Sequence, residues 1–453
     1  MDWTKIINEN RARSSKRKKG DTSNYDSRDE FETDYDRVIF SPAIRRMHDK
    51  TQVFPLITDD NIHTRLTHSL EAQAVAHSMG VNIIEQGLFN GLDEKFVRSV
   101  PMILSTSALC HDIGNTPFGH SGETSIQAFF ESYFKKKGTN TKIKLSKMEK
   151  LDFTKFDGNA EGFRILTKLQ VLQDPYGLNL TYGTLSAFLK YPFTADELNN
   201  GKPFSNKIGV FQSEKDLLQK IRKATGLKQM RNPLTFLMEA ADNICYNIMD
   251  MEDGFNYGYY NFEVILEYLK KEGDKNLKNI MSEFEKQIKN INTNKNNIET
   301  TKIVRLRVFL IQKLVGETCK EFVKNIAAIK EGKYKKELKG DTNLIDLLRQ
   351  FDIDNIYKQR EIQSLELTGE KVIQSLLQYF VDTFINNPDA RRAERLWNLI
   401  SRSFKELMKI EERKSELNNV DDYYKLRIIV DYISGMTDSF ALDLYRKLQG
   451  IEI

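Results

Sequence analysis

Helical periodicity is the feature of this 453-residue chain that most limits its fold, and only nine prolines are available to interrupt it. Apolar residues recur at helical spacing from Leu66 to Ile84, which predicts an amphipathic helix there. A second helix is predicted from Phe236 to Met251, where Asn232 and Pro233 supply a helix start. Few segments alternate as strands do, and we expect at most a short β-hairpin arm near residues 50–60. The pattern therefore predicts an all-α fold.

Composition narrows the class of protein. The chain is 40% hydrophobic and 29% charged, which is typical of a globular protein. Its 68 basic and 64 acidic residues give a net charge of +4, too balanced to indicate nucleic-acid binding by itself. The sequence lacks both an apolar stretch of about 20 residues, as a membrane helix needs, and the apolar core of a signal peptide. Three well-separated cysteines do not form a disulfide framework, so we expect a cytoplasmic location and no membrane partner.

Charge is unevenly distributed near the N-terminus. A basic run from Arg11 to Lys19 precedes an acidic stretch from Asp26 to Asp36. This pattern is typical of a solvated, flexible segment, and it is also compatible with a contact to phosphate or nucleic acid. We expect a flexible polar segment over residues 1–33.

All six histidines lie between His48 and His120, and the rest of the chain contains none. His111 is followed directly by Asp112, and His68 precedes this pair on the first predicted helix. Imidazole is the commonest neutral metal ligand and the usual acid or base near pH 7. The concentration of histidines therefore predicts one chemical centre, built mainly by the first third of the chain.

The other histidines and the neighbouring cysteine fit this centre less well. His77 follows His68 by nine residues, which places it on the opposite face of a helix and excludes it as a ligand of the same metal. His48 and His63 are expected to be exposed or structurally satisfied. Cys110 could be a soft ligand beside His111, but a small buried residue is the better interpretation in its apolar run.

An acidic stripe follows the second predicted helix. Its members recur at intervals of three or four and share one helix face: Glu239, Asp242, Tyr246, Asp250 and Asp253. The helix is otherwise apolar and therefore largely buried, so the stripe requires compensating cations or donors. A metal held by Asp242 with the histidine centre would supply this compensation. Two imidazoles and two carboxylates suit Mn, Fe, Zn, Co or Mg.

His120 and Glu123 stand three residues apart behind a loop rich in glycine and proline. We interpret them as a hydrogen-bonded pair in which Glu123 orients and charges His120. Alternatively, His120 caps a helix and Glu123 lies in the first helical turn, where a carboxylate is favourable. The two interpretations are compatible.

The residues around these positions form longer motifs: Phe40–Met47, Lys50–Leu56, Arg65–Glu71, His111–Glu123, Gly158–Arg164, Gly177–Leu185 and Ala241–Asp250. Together they resemble the bacterial deoxyguanosinetriphosphate triphosphohydrolases (dGTPases) of the HD-domain superfamily, from about Asp34 to Gly254. The resemblance implies an HD metal phosphohydrolase core over residues 34–260. It also implies a helical C-terminal region, residues 261–453, that completes the pocket and the oligomer interface.

The resemblance implies hydrolysis of dGTP, or of other dNTPs, at the α-phosphorus. The products are a deoxynucleoside and inorganic triphosphate, so the enzyme would control dNTP pools. Four residues would ligate a divalent ion, with Mn or Mg favoured over Fe, Zn or Co: His68, His111, Asp112 and Asp242. His120, assisted by Glu123, would protonate the leaving 5′-oxygen or stabilise charge on the α-phosphate.

Substrate contacts are implied in the same way. Arg65 would contact the α-phosphate, and Gln52 would lie beside the sugar and base. Tyr246 would exclude a 2′-hydroxyl, and Asp250 would accept a hydrogen bond from the 3′-hydroxyl. The remaining implied contacts are to the phosphates: Asn159, Lys190 and Tyr191. Asn243 departs from the charged residue that many relatives carry, which leaves base selectivity open.

Partners and alternatives follow from the family as well. A homo-oligomer is implied, normally a hexamer, with single-stranded DNA or a dNTP as an effector. The arginines of a C-terminal helix would complete a neighbouring subunit's pocket or form a solvated face: Arg391, Arg392, Arg395 and Arg402. Alternative functions are a broad dNTP triphosphohydrolase, another HD nucleotidase or phosphodiesterase, and a non-enzymatic nucleotide- or DNA-binding regulator.

Overall fold

The computed structural model describes residues 1–13, 27–54, 56, 62–136, 143–170, 175–288, 298–386, 390–412 and 420–451. The described chain is almost entirely helical, which confirms the all-α prediction. Within these ranges, β-pairing is limited to two isolated bridges, Arg11 with Thr181 and Thr51 with Thr64. The described part of the predicted β-hairpin arm forms only the second bridge, and residues 55 and 57–61 lie outside the described residues.

Thirteen of the twenty described α-helices end before residue 298. In chain order they are α1 (Trp3–Ile6), α2 (Glu30–Ile39), α3 (Pro42–Arg46), α4 (Arg65–Glu85), α5 (Glu94–Cys110), α6 (Gly119–Lys135), α7 (Lys147–Thr154), α8 (Gly158–Arg164), α9 (Tyr182–Phe188), α10 (Lys215–Thr225), α11 (Pro233–Asn256), α12 (Phe262–Glu272) and α13 (Lys275–Ile288). The later ones are α14 (Ile298–Lys330), α15 (Leu344–Asp352), α16 (Arg360–Val381), α17 (Ala390–Leu399), α18 (Arg402–Glu412), α19 (Asp422–Ser434) and α20 (Asp438–Gln449).

Shorter helical segments complete the chain. Three are 3₁₀ turns: Met47–Asp49, Ala195–Glu197 and Gln212–Glu214. Three are π-helical extensions of α8, α15 and α16: Ile165–Leu169, Ile353–Tyr357 and Asp382–Asn386.

Both helices predicted from periodicity are present, and local chemistry defines where they begin. Thr64 caps α4 in a reciprocal pair of hydrogen bonds with Thr67. Asn232 caps α11 by accepting from the amide of Leu234, and Pro233 occupies the first helical position. These caps fix the register of the two helices that carry His68 and Asp242.

The interior consists of two apolar clusters, and each joins early to late parts of the chain. One combines residues from 38–221 with residues from 372–444. The other combines residues from 3–108 with residues from 227–362. Helix α4 packs along α5, while α11 packs on α4, α5 and α14. The helices after residue 260 are therefore part of the same core as the histidine centre.

The described parts of the segment 1–33 are packed, which differs from the flexible segment expected there. Trp3 and Ile6 of α1 are buried. The Arg11 side chain is 3% exposed and lies 2.5 Å from Asp34, so its charge is compensated by a buried carboxylate. The apolar residues before the basic run account for this packing. Residues 14–26, which include most of that run, lie outside the described residues.

The three cysteines are buried free thiols, and Cys110 is a small buried residue, as expected. Burial raises the pKa of Cys110, so the neutral thiol is favoured. Among the described helices, none combines the length and apolarity needed to span a membrane.

Candidate active site

Three packed helices bring the predicted metal ligands together. His68 lies in the second turn of α4, His111 and Asp112 follow the last residue of α5, and Asp242 lies on α11. The distance from His68 Nε2 to Asp242 Oδ1 is 3.2 Å. His111 Nε2 lies 3.3 Å from the same Asp242 oxygen and 3.4 Å from Asp112 Oδ1. All four residues therefore converge on one point.

The donor atoms of this cluster fit a divalent cation. His111 Nδ1 lies 2.6 Å from the carbonyl oxygen of Ala108, so the neutral ring carries its hydrogen on Nδ1 and would offer the lone pair of Nε2 to a metal. His111 Nε2 is buried and faces the oxygens of Asp112 and Asp242 without forming a hydrogen bond to either. Ligand atoms of His68, His111 and Asp112 lie within 4.8 Å of one another. Imidazole nitrogens and carboxylate oxygens together match borderline-hard divalent ions.

Charges around the cluster balance one another. Burial alone would lower the pKa of His111, but Asp112 and Asp242 outweigh it and raise that pKa to about 9. Arg65 Nη1 lies 2.5 Å from Asp112 Oδ2. Lys190 Nζ lies 3.9 Å from Asp242 and 3.3 Å from Glu239. The acidic stripe of α11 is therefore compensated by cations of the protein as well as by the imidazoles.

A cleft with a volume of about 480 Å³ opens beside the cluster. Its walls contain predicted site residues from four separate motifs: Gln52, Arg65, Asp112, His120, Asp242 and Tyr246. The helices after residue 260 add Tyr357, Ile362 and Glu366. Two amide groups in the wall have buried atoms without a partner among the described residues, namely Gln52 Oε1 and Asn243 Nδ2. Such unpaired groups are suited to binding a polar ligand.

His120 and Glu123 are neighbours, but the expected hydrogen bond between them is absent. His120 Nδ1 lies 3.9 Å from Glu123 Oε1, and the His120 side chain is 79% exposed. The largely buried Glu123 instead accepts a hydrogen bond of 3.1 Å from the amide of Gly158, at the start of α8. Burial and the nearby Asp157 raise the pKa of Glu123 to about 7. The helix start at Gly158 therefore competes with His120 for this carboxylate.

A tyrosine pair, Tyr246 and Tyr357, also lines the cleft. Tyr357 Oη lies 2.5 Å from Tyr246 Oη and 2.5 Å from Asp250 Oδ2. Burial raises the pKa of Asp250 to about 8, and it raises the pKa of both tyrosines. Tyr357 is a site residue that sequence reasoning missed, because no spacing rule links it to Asp250, 107 positions earlier.

Cations gather at a further part of the site. The Tyr191 ring has Lys207 Nζ 5.7 Å from its centroid and the Arg231 guanidinium 5.5 Å away. Lys207 also lies 3.3 Å from Asp157, to which Asn159 donates a hydrogen bond of 2.8 Å. Lys207 was missed in the sequence, where it is one of many lysines in a polar loop. These residues link the predicted phosphate contacts to the surroundings of Glu123.

The other histidines lie apart from the metal cluster. His48 and His77 are exposed. His63 Nδ1 lies 2.7 Å from Asp253, and its Nε2 lies 3.4 Å from Glu71. Burial opposes the charged form of His63, but these carboxylates raise its pKa to about 10. His63 therefore has the role of a satisfied structural histidine.

The C-terminal arginines are not part of the cleft wall described above. Arg391, Arg392 and Arg395 are exposed on α17, and the Arg402 side chain is 92% exposed at the start of α18.

Comparisons with known proteins indicate the family of the chain. A family described as the phosphohydrolase-associated domain matches residues 341–447. A deoxyguanosinetriphosphate triphosphohydrolase-like protein of Listeria monocytogenes is 34% identical over 100% of both chains. A protein of the same name from Synechocystis is 34% identical over 94% of this chain and 95% of its own. A deoxyguanosinetriphosphate triphosphohydrolase of an Enterobacter species is 31% identical over 93% and 94%.

An all-α scaffold that holds a buried His-His-Asp cluster, together with a phosphohydrolase-associated domain, places the chain among the HD-superfamily phosphohydrolases. Within that superfamily, the full-length matches are more specific. The chain belongs to the deoxyguanosinetriphosphate triphosphohydrolase family.

Proposed function

We propose that this protein hydrolyses dGTP at the α-phosphorus, releases deoxyguanosine and inorganic triphosphate, and thereby controls dNTP pools. One observation carries the proposal. The His-Asp cluster shares a cleft with a tyrosine pair hydrogen-bonded to a buried aspartate, an arrangement that would place the phosphates at the cluster and the nucleoside beside the tyrosines. The name of the relative from Enterobacter supports this substrate.

The metal site supports a hydrolytic mechanism. His68, His111, Asp112 and Asp242 would hold the divalent ion, with Mn or Mg preferred and Fe, Zn or Co as alternatives. Such an ion would lower the pKa of a bound water and so supply the nucleophile. Arg65, which already compensates Asp112, would place its guanidinium beside the α-phosphate.

The leaving 5′-oxygen requires a proton, and His120 is the accessible donor in the cleft wall. Glu123 would favour the protonated imidazole once substrate draws the two side chains together, because catalytic hydrogen bonds often tighten only in the complex. The remaining phosphates would be bound by Lys190, Tyr191, Asn159 and the additional Lys207.

The sugar would lie against the tyrosine pair. Tyr246, fixed by Tyr357, would occupy the space of a 2′-hydroxyl and so favour deoxynucleotides. Asp250 would accept a hydrogen bond from the 3′-hydroxyl. Gln52 Oε1 and Asn243 Nδ2, which are buried without partners in the described chain, would offer an acceptor and a donor to the sugar and base.

A product analysis tests the proposal. The purified protein is incubated with each dNTP and with GTP, under Mg and then Mn, and the products are separated by ion exchange. Tripolyphosphate and deoxyguanosine from dGTP alone are expected. Equal turnover of all four dNTPs would establish the broad triphosphohydrolase. Pyrophosphate or monophosphate as the sole phosphorus product would contradict attack at the α-phosphorus, and nucleotide or DNA binding without turnover would indicate a regulator.

The family resemblance supports three further expectations. The chain is expected to form a homo-oligomer, with a hexamer as the first hypothesis, which light scattering measures. Single-stranded DNA or a second dNTP is expected to act as an effector. A cytoplasmic location fits the three buried thiols, which are unpaired.

A further inference from the structure

Asp438 connects the C-terminal region to two segments that line the cleft. It lies in the first turn of α20 and is 2% exposed. Its Oδ1 accepts a hydrogen bond of 3.0 Å from the amide of Phe118. Its Oδ2 accepts one of 3.0 Å from the amide of Thr51 and another from the Thr51 hydroxyl. One buried carboxylate therefore connects two loops whose sequence positions lie far from its own.

The Phe118 contact leads to the proton donor. Phe118 has a left-handed backbone, with φ of 61°, directly before α6 begins at Gly119. This conformation is strained for a residue other than glycine, so surrounding contacts must hold it. Gly369 of α16 lets the Phe118 ring approach, since a Cβ there would lie 2.5 Å from the ring. His120 follows two residues later and takes its direction from this turn.

The Thr51 contact leads to a second segment that lines the cleft. Thr51 immediately precedes Gln52, and both line the cavity. The neighbouring Lys50 donates to the carbonyl oxygen of Asn115, at 2.5 Å, and to that of Ser434, at 2.8 Å. The end of α19 and the start of α20 thus contact the loop of Lys50 and Thr51 through two independent polar links. The link through Lys50 also includes Asn115, in the loop after the metal ligands.

We infer that Asp438 is a positioning residue, which sets Gln52 and His120 at the distance that the substrate requires. It is not itself part of the cleft wall, and it acts through Thr51 and Phe118, which are. The phosphohydrolase-associated domain would therefore act on turnover through the alignment of two loops. The kinetic part of this inference rests on the proposed dGTP hydrolysis.

Asparagine provides a variant that separates the two contacts. A carboxamide offers one acceptor oxygen, and its amino group can donate to the Thr51 hydroxyl but not to a backbone amide. In Asp438→Asn the oxygen is expected to face Phe118, so the amide of Thr51 loses its acceptor. In Asp438→Ala both amides lose their acceptor. Asp443→Asn, on the exposed side of the same helix, is the matched control.

Hydrogen exchange of the full-length protein tests the contacts without any need for activity. In Asp438→Ala, peptides containing Thr51 and Phe118 are both expected to exchange faster than in the control. In Asp438→Asn only the Thr51 peptide is expected to do so. Unchanged exchange at both peptides in both variants would overturn the inference. This result is independent of the reaction, so it separates failure of the inference from failure of the proposed function.

Kinetics with dGTP and Mn test whether loss of the Asp438 contacts impairs turnover. Asp438→Ala is expected to lower kcat and raise KM, each by about tenfold, the scale expected for a small misplacement of reacting groups. Asp438→Asn is expected to restore kcat to within about threefold while KM stays raised. Mn affinity, measured by calorimetry, should equal that of the control. Equal losses of kcat in both variants with an unchanged KM would contradict the inference, as would loss of Mn binding.

If Asp438→Ala does not fold, Asp438→Asn and Thr51→Val provide the same test, and both should raise KM.

Discussion

The hydroxyl oxygens of Tyr246 and Tyr357 lie 2.5 Å apart, although the two residues are separated by 111 positions in the chain. Tyr357 Oη lies equally close to Asp250, and each phenol has a single proton to donate. The consistent arrangement is a chain in which Tyr246 donates to Tyr357 and Tyr357 donates to Asp250. Both rings are thereby fixed at the part of the cleft proposed to receive the sugar.

Removing one hydroxyl from this chain should weaken selection against ribonucleotides. In Tyr357→Phe, Tyr246 loses the group that fixes its ring. We expect the ratio of kcat/KM for dGTP to that for GTP to fall about tenfold, equivalent to about 1.4 kcal/mol. Steady-state kinetics with both nucleotides measure this ratio. Tyr334→Phe is the control. It removes a hydroxyl that donates a hydrogen bond to Glu321, outside the cleft wall. A ratio equal to that of the control would contradict this role of the pair.

The metal cluster gives a second prediction. A ligand that binds only the folded state stabilises it by about 2.7 kcal/mol at one hundred times its dissociation constant. Wild-type protein is therefore expected to unfold at a higher temperature with saturating Mn. His111→Ala should lose most of this increase and its dGTP hydrolysis. His77→Ala, which changes an exposed histidine of α4, should retain both. An undiminished Mn-dependent increase in His111→Ala would exclude His111 as a ligand.

The residues at the centre of the candidate site could be singled out in the sequence because their signals are local. His111 and Asp112 are adjacent, and Asp242, Tyr246 and Asp250 share one face of a single helix. Helical spacing also separated His77 from His68. The convergence of these residues then followed from the packing of α4, α5 and α11.

The rest of the site depends on contacts that no local rule encodes. Tyr357 and Asp438 enter it only through the packing of late helices on early ones. The buried position of Glu123 against Gly158 was also hidden, because it depends on how α8 approaches the loop after Asp112. Hydrophobic periodicity predicted each helix separately, but it did not predict which helices would meet.

The loop after the metal ligands supplies a third prediction. A Cβ at Gly114 would lie 2.1 Å from the carbonyl oxygen of Gly158 and 2.1 Å from the amide of Gly162. Gly114→Ala should therefore separate this loop from α8 and destabilise the protein by several kcal/mol, on the order of 3. Gly316→Ala, inside α14 with open space around it, should instead be neutral or stabilising by up to about 1 kcal/mol. Urea unfolding measures both, and equal stability of the two variants would contradict the close approach.

Asp152 explains why the stability of this protein should depend on pH. Its Oδ2 accepts hydrogen bonds from Tyr423 Oη, at 2.6 Å, and from the amide of Gln212, at 2.7 Å. Its Oδ1 is buried without a partner among the described residues. Burial outweighs these hydrogen bonds and raises the pKa of Asp152 to about 7 from 3.8. The folded protein therefore retains a proton that the unfolded chain releases at lower pH.

The sign of the effect follows from proton binding. Between pH 4 and pH 7 the folded state binds more protons at Asp152 than the unfolded state, so this residue lowers stability as pH rises through that range. Asp152→Asn removes the charge and should leave stability near that of wild type at pH 4. At pH 8 it should be more stable than wild type by about 2–4 kcal/mol. Asp216→Asn, an exposed change, should track wild type throughout. Urea unfolding at both pH values tests this prediction. If Asp152→Asn differs from wild type in stability by the same amount at pH 4 and pH 8, Asp152 does not titrate between them.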